Sequence, residues 1–295
     1  MLVQLLPLIV ASLSLAVVPA TFWFWFYYRQ NIVPRRLAAL TFLFGMAATL
    51  PLIVIDWFLE VDRWLLGVVG QGSLLAVILL SLYVGFTEEY AKHFVVKELD
   101  YNRKDFDQVI DGISYSIIAA LGFSFVENVR FFVAGGEYYG LISWSFVTLF
   151  ILRTFGSTLA HCLFSGLYGY YYGKAKFAKC VLSSERRRRR SFAIRKGLKL
   201  RYRRFQHFLK IKSFDDEFRD QVEEEAIAAE GLLVAGTLHA LFNFFLSIGR
   251  AFLTVPFLFL EYMIVAYELS KPENREVFIN YPHSCKVAIV KQKAQ

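Results

Sequence analysis

Ten polar side chains sit inside apolar runs of this sequence, and their types suit acid–base, metal or charge-relay chemistry: Glu88, Glu89, Lys92, Glu127, Asn128, Arg130, Arg153, His161, His239 and Asn243. A charge at the centre of a membrane helix costs at least about 2.5–3.5 kcal/mol on insertion scales, so such residues usually face a bundle interior. Glu88 and Glu89 stand in F-T-E-E-Y-A-K, with Lys92 four residues after the first and three after the second. On a helix the ammonium can reach either carboxylate. Two readings are open. The pair is an interfacial ion pair with a snorkelling lysine. Alternatively, because adjacent helical positions differ by about 100°, one carboxylate meets Lys92 while the other faces elsewhere. Two carboxylates in different surroundings are what separates acid from base roles.

Glu127 and Asn128 occur in L-G-F-S-F-V-E-N-V-R, where the plain alternative is a pair between Glu127 and Arg130 near the outer surface. Arg153, Ser157 and His161 are spaced by four in R-T-F-G-S-T-L-A-H, and His239 and Asn243 are four apart in H-A-L-F-N. Each spacing places its members on one helical face. A single intramembrane histidine is often only hydrogen-bonded to a neighbouring helix. Together, however, three carboxylates, two imidazoles and an amide on four segments can converge in one core. These residue types hold Zn²⁺, or activate water and stabilise an oxyanion. Glu261 has no polar companion at helical spacing and reads as structural.

The elements that must position these groups are membrane helices. Of 295 residues, 56% are hydrophobic and 30 are Phe, with a mean hydropathy of +0.43. Soluble domains hold about 45–50% apolar residues. A soluble enzyme and a disordered chain are both excluded. Cys162, Cys180 and Cys285 form no CxxC and no paired framework, so no disulfide is expected. Apolar runs fall at about 5–28, 37–59, somewhere within 64–96, 109–134, 139–173, 231–248 and 252–266. About 20 residues suffice for one crossing. The 35-residue run at 139–173 is long for one crossing and short for two, so the expected fold is all-α, a polytopic bundle of seven or eight transmembrane helices. Seven requires that run to cross once, as a long or broken helix with Gly156 as the break. The third helix is expected to start late, near Leu74, which brings Glu88 toward the middle of the bilayer.

Orientation follows the Lys/Arg bias of short loops. Arg29, Arg35 and Arg36 lie after the first helix, and Lys97, Arg103 and Lys104 after the third. Asp56, Glu60 and Asp62 lie after the second with a single Arg63. The N-terminus is therefore expected outside and the C-terminus in the cytoplasm. The expected organisation is a first part of the bundle at 1–173, an insertion at 174–229, the last two helices at 230–268 and a cytoplasmic tail at 269–295. The insertion holds 17 Lys/Arg and 8 Asp/Glu, basic around 186–190 and acidic from Asp215 on. It reads as a solvated, topology-fixing cytoplasmic loop with some contact to anionic lipid. No nucleic-acid-binding motif accompanies its arginines.

E-E-Y-A-K at 88–92, D-G-I-S-Y and G-F-S-F-V-E-N within 111–128, R-T-F-G-S-T-L-A-H with G-Y-Y-Y-G within 153–173, and H-A-L-F-N at 239–243 come in the order found in the PrsW family of bacterial intramembrane proteases, which this chain resembles. That family is similar to the CAAX prenyl proteases and their bacteriocin-related relatives. The resemblance covers roughly residues 35 to 250. The basic insertion departs from it. The resemblance implies an intramembrane endopeptidase of the inner membrane that cleaves a membrane-anchored protein or peptide. Glu88, Glu89, Glu127, His161, His239 and Asn243 would be its catalytic set, and Lys92, Asn128 and Arg153 would support them. It leaves the cofactor open between none and zinc. In the metal form His161, His239 and a carboxylate such as Glu127 would hold Zn²⁺. In the metal-free form Glu88 or Glu89 would be the general base. HExxH is absent. Two other classes compete: a proton-coupled transporter, for which no internal repeat is evident, and an inactive scaffold, which would lack one of the motif residues. None is missing.

Overall fold

The computed structural model describes residues 2–29, 33–70, 73–178, 180, 216–279 and 286–288, with the backbone alone at 2–5, 216–223, 279 and 286–288. Ten α-helices are described: α1 (Leu2–Tyr28), α2 (Arg35–Ala47), α3 (Thr49–Leu59), α4 (Val61–Val69), α5 (Leu74–Leu99), α6 (Val109–Tyr139), α7 (Trp144–Ile151), α8 (Thr158–Lys176), α9 (Asp216–Ser247) and α10 (Thr254–Ser270). Seven spans among them are long and apolar enough to cross a membrane, the second made of α2 with α3 and the fifth of α7 with α8. The protein is a multi-pass membrane protein of the all-α class. The sole described sheet is a ribbon of β1 (Val277–Ile279) and β2 (Lys286–Ala288).

The expected late start of the third crossing is observed, since α5 begins at Leu74 and carries Glu88 near its middle. The run at 139–173 is not one continuous helix. A loop at 140–143 precedes α7, and a π-helical turn at Leu152–Ser157 joins α7 to α8. The break therefore includes Gly156, as its flexibility suggests. Side chains also bond the carbonyls of this turn: Thr158 Oγ1 donates to Arg153 O at 2.8 Å, and Trp23 Nε1 of α1 donates to Thr154 O at 2.7 Å.

Helix α6 is the axle. Residues 109–124 are all buried except Ser114, so the helix has no lipid face in its first half. Asp111 caps its start, accepting from the Asp107 and Gln108 amides at 3.0 and 2.8 Å. A Cβ on Gly112 would lie 2.2 Å from Gly169 O of α8, and one on Gly173 would lie 2.3 Å from Val109 O. Only hydrogen permits that approach, so α6 and α8 touch backbone to backbone. The same holds where α5 meets α9: a Cβ on Gly85 would lie 2.7 Å from Ala240 N.

At the end of α5, Asp100 is fully buried against α2. Thr41 Oγ1 lies 2.9 Å from Asp100 Oδ1 and also 2.9 Å from Leu37 O. One hydroxyl proton cannot serve both acceptors. Burial pushes the Asp100 carboxyl up to about 7, so the protonated acid can donate to Thr41, which then donates to Leu37. On the same side of the bundle, Lys176 Nζ donates to Phe106 O at 2.8 Å and to Tyr101 O, tying α8 to the loop after α5. The tail returns here as well, with Phe278 stacked on Phe177 at 4.3 Å.

One sequence expectation changes. Cys180 is disulfide-bonded, with its partner outside the described residues, while Cys162 is a buried free thiol. Spacing along the chain does not show which cysteines meet in the fold. The insertion's boundary at 229 falls inside α9, whose first turns already belong to the acidic half. The arginine run at 186–190 lies outside the described residues.

Candidate active site

Helices α5, α6, α8 and α9 each send polar side chains to one point. Glu89 is 1% exposed and accepts from Lys92 Nζ at 2.7 Å, His239 Nδ1 at 2.9 Å and Ser165 Oγ at 2.8 Å. Three donors hold it as an anion and leave it little freedom. Glu88, one position earlier, is turned about 100° around the helix. Its Oε2 is buried with no hydrogen-bond partner, 3.6 Å from His239 Nε2, 3.9 Å from Lys92 Nζ and 4.0 Å from His161 Nδ1. The adjacent carboxylates therefore do occupy different surroundings, and Lys92 (2% exposed) is an interior ion rather than a snorkelling one.

His161 links the two halves. Its Nδ1 lies 2.8 Å from Lys92 Nζ and its Nε2 2.7 Å from Glu127 Oε2. An ammonium only donates, so Nδ1 accepts and Nε2 carries the proton toward Glu127. Glu127 also receives Arg153 at 3.2 Å, while Arg153 Nε donates to Asn128 Oδ1 at 2.7 Å and Asn128 Nδ2 to Thr158 Oγ1 at 3.0 Å. The alternative pair of Glu127 with Arg130 does not form. Arg130 is exposed, and the partner comes from the π turn instead. Lys92 further lies 4.6 Å from the centroid of the Phe123 ring.

The structure thus brings together Glu88, Glu89, Lys92, Glu127, Asn128, Arg153, His161 and His239. It leaves Asn243 half-buried one turn beyond His239, outside the hydrogen-bonded set. Ser165 is the residue that sequence reading missed. The spacing of four that runs through Arg153, Ser157 and His161 continues to it, so the signal was there. Glu261 is 3% exposed and neither of its carboxylate oxygens has a hydrogen-bond partner, so it stands outside the hydrogen-bonded set. A cavity lined by Thr49, Asp56, Tyr83 and Thr87 reaches Glu88 and Glu127 from the end of the bundle where α3 and α4 lie. Neither of these helices is well packed: α4 buries no residue and α3 only Thr49.

One carboxylate and two imidazoles, from Glu88, His161 and His239, have ligand atoms within 4.8 Å of one another, and could hold a metal ion. The donor types are those of catalytic zinc sites. Glu88 Oε2 and His239 Nε2 fit that use directly, since His239 commits its other nitrogen to Glu89 and turns an unprotonated one to the gap. Without a metal, the same gap suits a water molecule whose two protons face two acceptors.

A model of the PrsW family of intramembrane metalloproteases matches residues 33–199, a stretch that includes Glu88, Glu89, Lys92, Glu127 and His161. Proteins called Protease PrsW are similar to part of this chain. The one from Geobacillus kaustophilus is 34% identical over 137 residues, 46% of this chain and 53% of that protein. The one from Bacillus subtilis is 28% identical over 145 residues, 49% of this chain and 58% of that protein. The one from Halalkalibacterium halodurans is 27% identical over 167 residues, 56% of this chain and 69% of that protein. The chain thus spans about half the length of the first two relatives. No solved structure matches it significantly.

Proposed function

The chain belongs to the PrsW family of intramembrane proteases, and from that premise we propose that it hydrolyses a peptide bond of a membrane-anchored protein, with Glu88 as general base. The observation that carries this reading is the contrast between the two adjacent carboxylates. Glu89 is fully engaged by three donors, whereas Glu88 Oε2 is buried, unpartnered and next to a cavity. Glu88 and His239 Nε2 together orient a water molecule, and Glu88 takes its proton as the water attacks the scissile carbonyl. Glu89 positions His239 and Lys92. Glu127 and Arg153 position His161, and the Lys92 charge stabilises negative charge that develops beside it. Glu88 and His239, with His161 as the third donor, would hold a zinc ion. Bound there, zinc would supply Lewis acidity and lower the pKa of a coordinated water.

The protein would lie in the inner membrane with its N-terminus outside, as the loop bias indicates. The site then opens toward the outer half of the bilayer, and the substrate arrives past α3 and α4. The 174–229 insertion would contact anionic lipid on the cytoplasmic side. Cleavage of a membrane-anchored reporter in a deletion strain tests the reading. Complementation by the wild-type chain should restore cleavage, and a Glu88→Gln chain at matched expression should not. Full processing by Glu88→Gln would sink the proposed base.

A further inference from the structure

We propose that Lys92 is a built-in cation that competes with a divalent metal ion for His161, so that the metal-bound and metal-free forms are alternative states of one cluster. The inference deepens the reading of this cluster as the reaction centre and rests on it. Zinc binds an imidazole through a nitrogen lone pair, and catalytic zinc sites use three protein ligands. Here two of the three candidate ligands present an open lone pair: Glu88 Oε2, which has no partner, and His239 Nε2. The third does not. His161 gives its Nδ1 lone pair to Lys92 at 2.8 Å, and its Nε2 bears the proton directed at Glu127 at 2.7 Å.

A metal can recruit His161 only when Lys92 lets go of Nδ1. Lys92 need not leave the interior to do so, because Glu89 Oε1 holds it independently at 2.7 Å and the Phe123 ring faces it at 4.6 Å. Formal charge points the same way. Glu88, Glu89 and Glu127 face Lys92 and Arg153, which leaves one net negative charge. Removing the Lys92 charge leaves two, the complement of a divalent ion. The lysine thus stands in for half of the metal's charge and holds one of its ligands.

Zinc affinity of the full chain, purified in detergent and titrated against a chromogenic chelator, tests this. Co²⁺ absorption reports coordination. Lys92→Met should bind zinc about 10- to 100-fold more tightly than wild type, the scale of one charge-assisted hydrogen bond. Lys92→Gln, which keeps a donor but not the charge, should lie between the two, and it decides the matter if the methionine variant does not fold. Adding Glu88→Gln should weaken zinc binding in every background and alter the Co²⁺ spectrum. Unchanged or weaker zinc binding in folded Lys92 variants would overturn the proposal, as would Co²⁺ bands that ignore Glu88→Gln. The titration needs no substrate. A chain that binds zinc as foreseen and cleaves nothing would therefore count against the protease reading and leave the competition standing.

Discussion

Replacing either member of the carboxylate pair by glutamine asks what its neighbours do for it. At Glu88 the amide takes the place of an oxygen that no donor contacts. Thermal unfolding should therefore shift little, while turnover falls about 10²–10⁴-fold, the usual cost of losing a general base. At Glu89 the same change leaves Lys92 buried beside a neutral amide. Breaking a buried pair from one side typically costs about 3–5 kcal/mol, so Glu89→Gln should lower the melting temperature in detergent as well as the rate. Equal melting temperatures for the two variants would show that the pair is not divided in this way. The sequence reveals that Lys92 reaches both carboxylates, because helical spacing is local. It does not reveal which one stays open, because that is decided by Ser165 and His239, 76 and 150 residues away. Asn243 shows the converse. Its spacing from His239 is right, but the helix face does not carry it into contact with the set.

At the scale of elements, the spans were readable because apolar runs of this length have few alternatives. Their interruptions were not. The π turn is braced by a donor from another helix, Trp23 Nε1 on Thr154 O, and no local pattern announces that contact. The motif D-G at 111–112 and the glycines of G-Y-Y-Y-G prove to be parts of one helix contact rather than of the site. Asp111 caps α6, and Gly112 lies against Gly169. Gly169→Ala would push its Cβ to 2.2 Å from Gly112 O. Overpacking of this kind costs about 1–3 kcal/mol, so the variant should melt earlier without a change in zinc affinity of the folded fraction. The contact of α2 with α5 gives a pH signature. Asp100 has its folded pKa raised to about 7, above an unfolded value of about 3.9. The native state then binds the extra proton, so this stabilisation is complete below about pH 4 and is lost as pH rises through about 7. Melting temperatures between pH 5 and 8 should fall more steeply for wild type than for Asp100→Asn. Parallel curves would mean that Asp100 is ionised in the native protein.

For the whole molecule, orientation is the property that the loops of the described residues can test. Ile142 is fully exposed between the fourth and fifth spans. A cysteine there should react with a membrane-impermeant maleimide in intact cells, and one at Ser191 should react only after lysis. The opposite pattern would invert the proposed topology and move the site's opening to the cytoplasmic half. The fifth span carries a further consequence. Its C-terminal half packs on α6 through Gly169 and Gly173, and its N-terminal half packs on the same helix through Leu149 and Phe146 against Gly135 and Phe132. Between them the π turn adds one residue, and each residue turns a regular helix by about 100°. The two halves are thus set to different rotational phases against one partner. In genetic terms this span is one codon longer than a regular helix would tolerate, and that codon keeps Arg153 and His161 on the same carboxylate. An in-frame loss of Gly156, a position with open space around it, would leave the length, charge and hydropathy of the span almost unchanged while turning one half of the site away from the other.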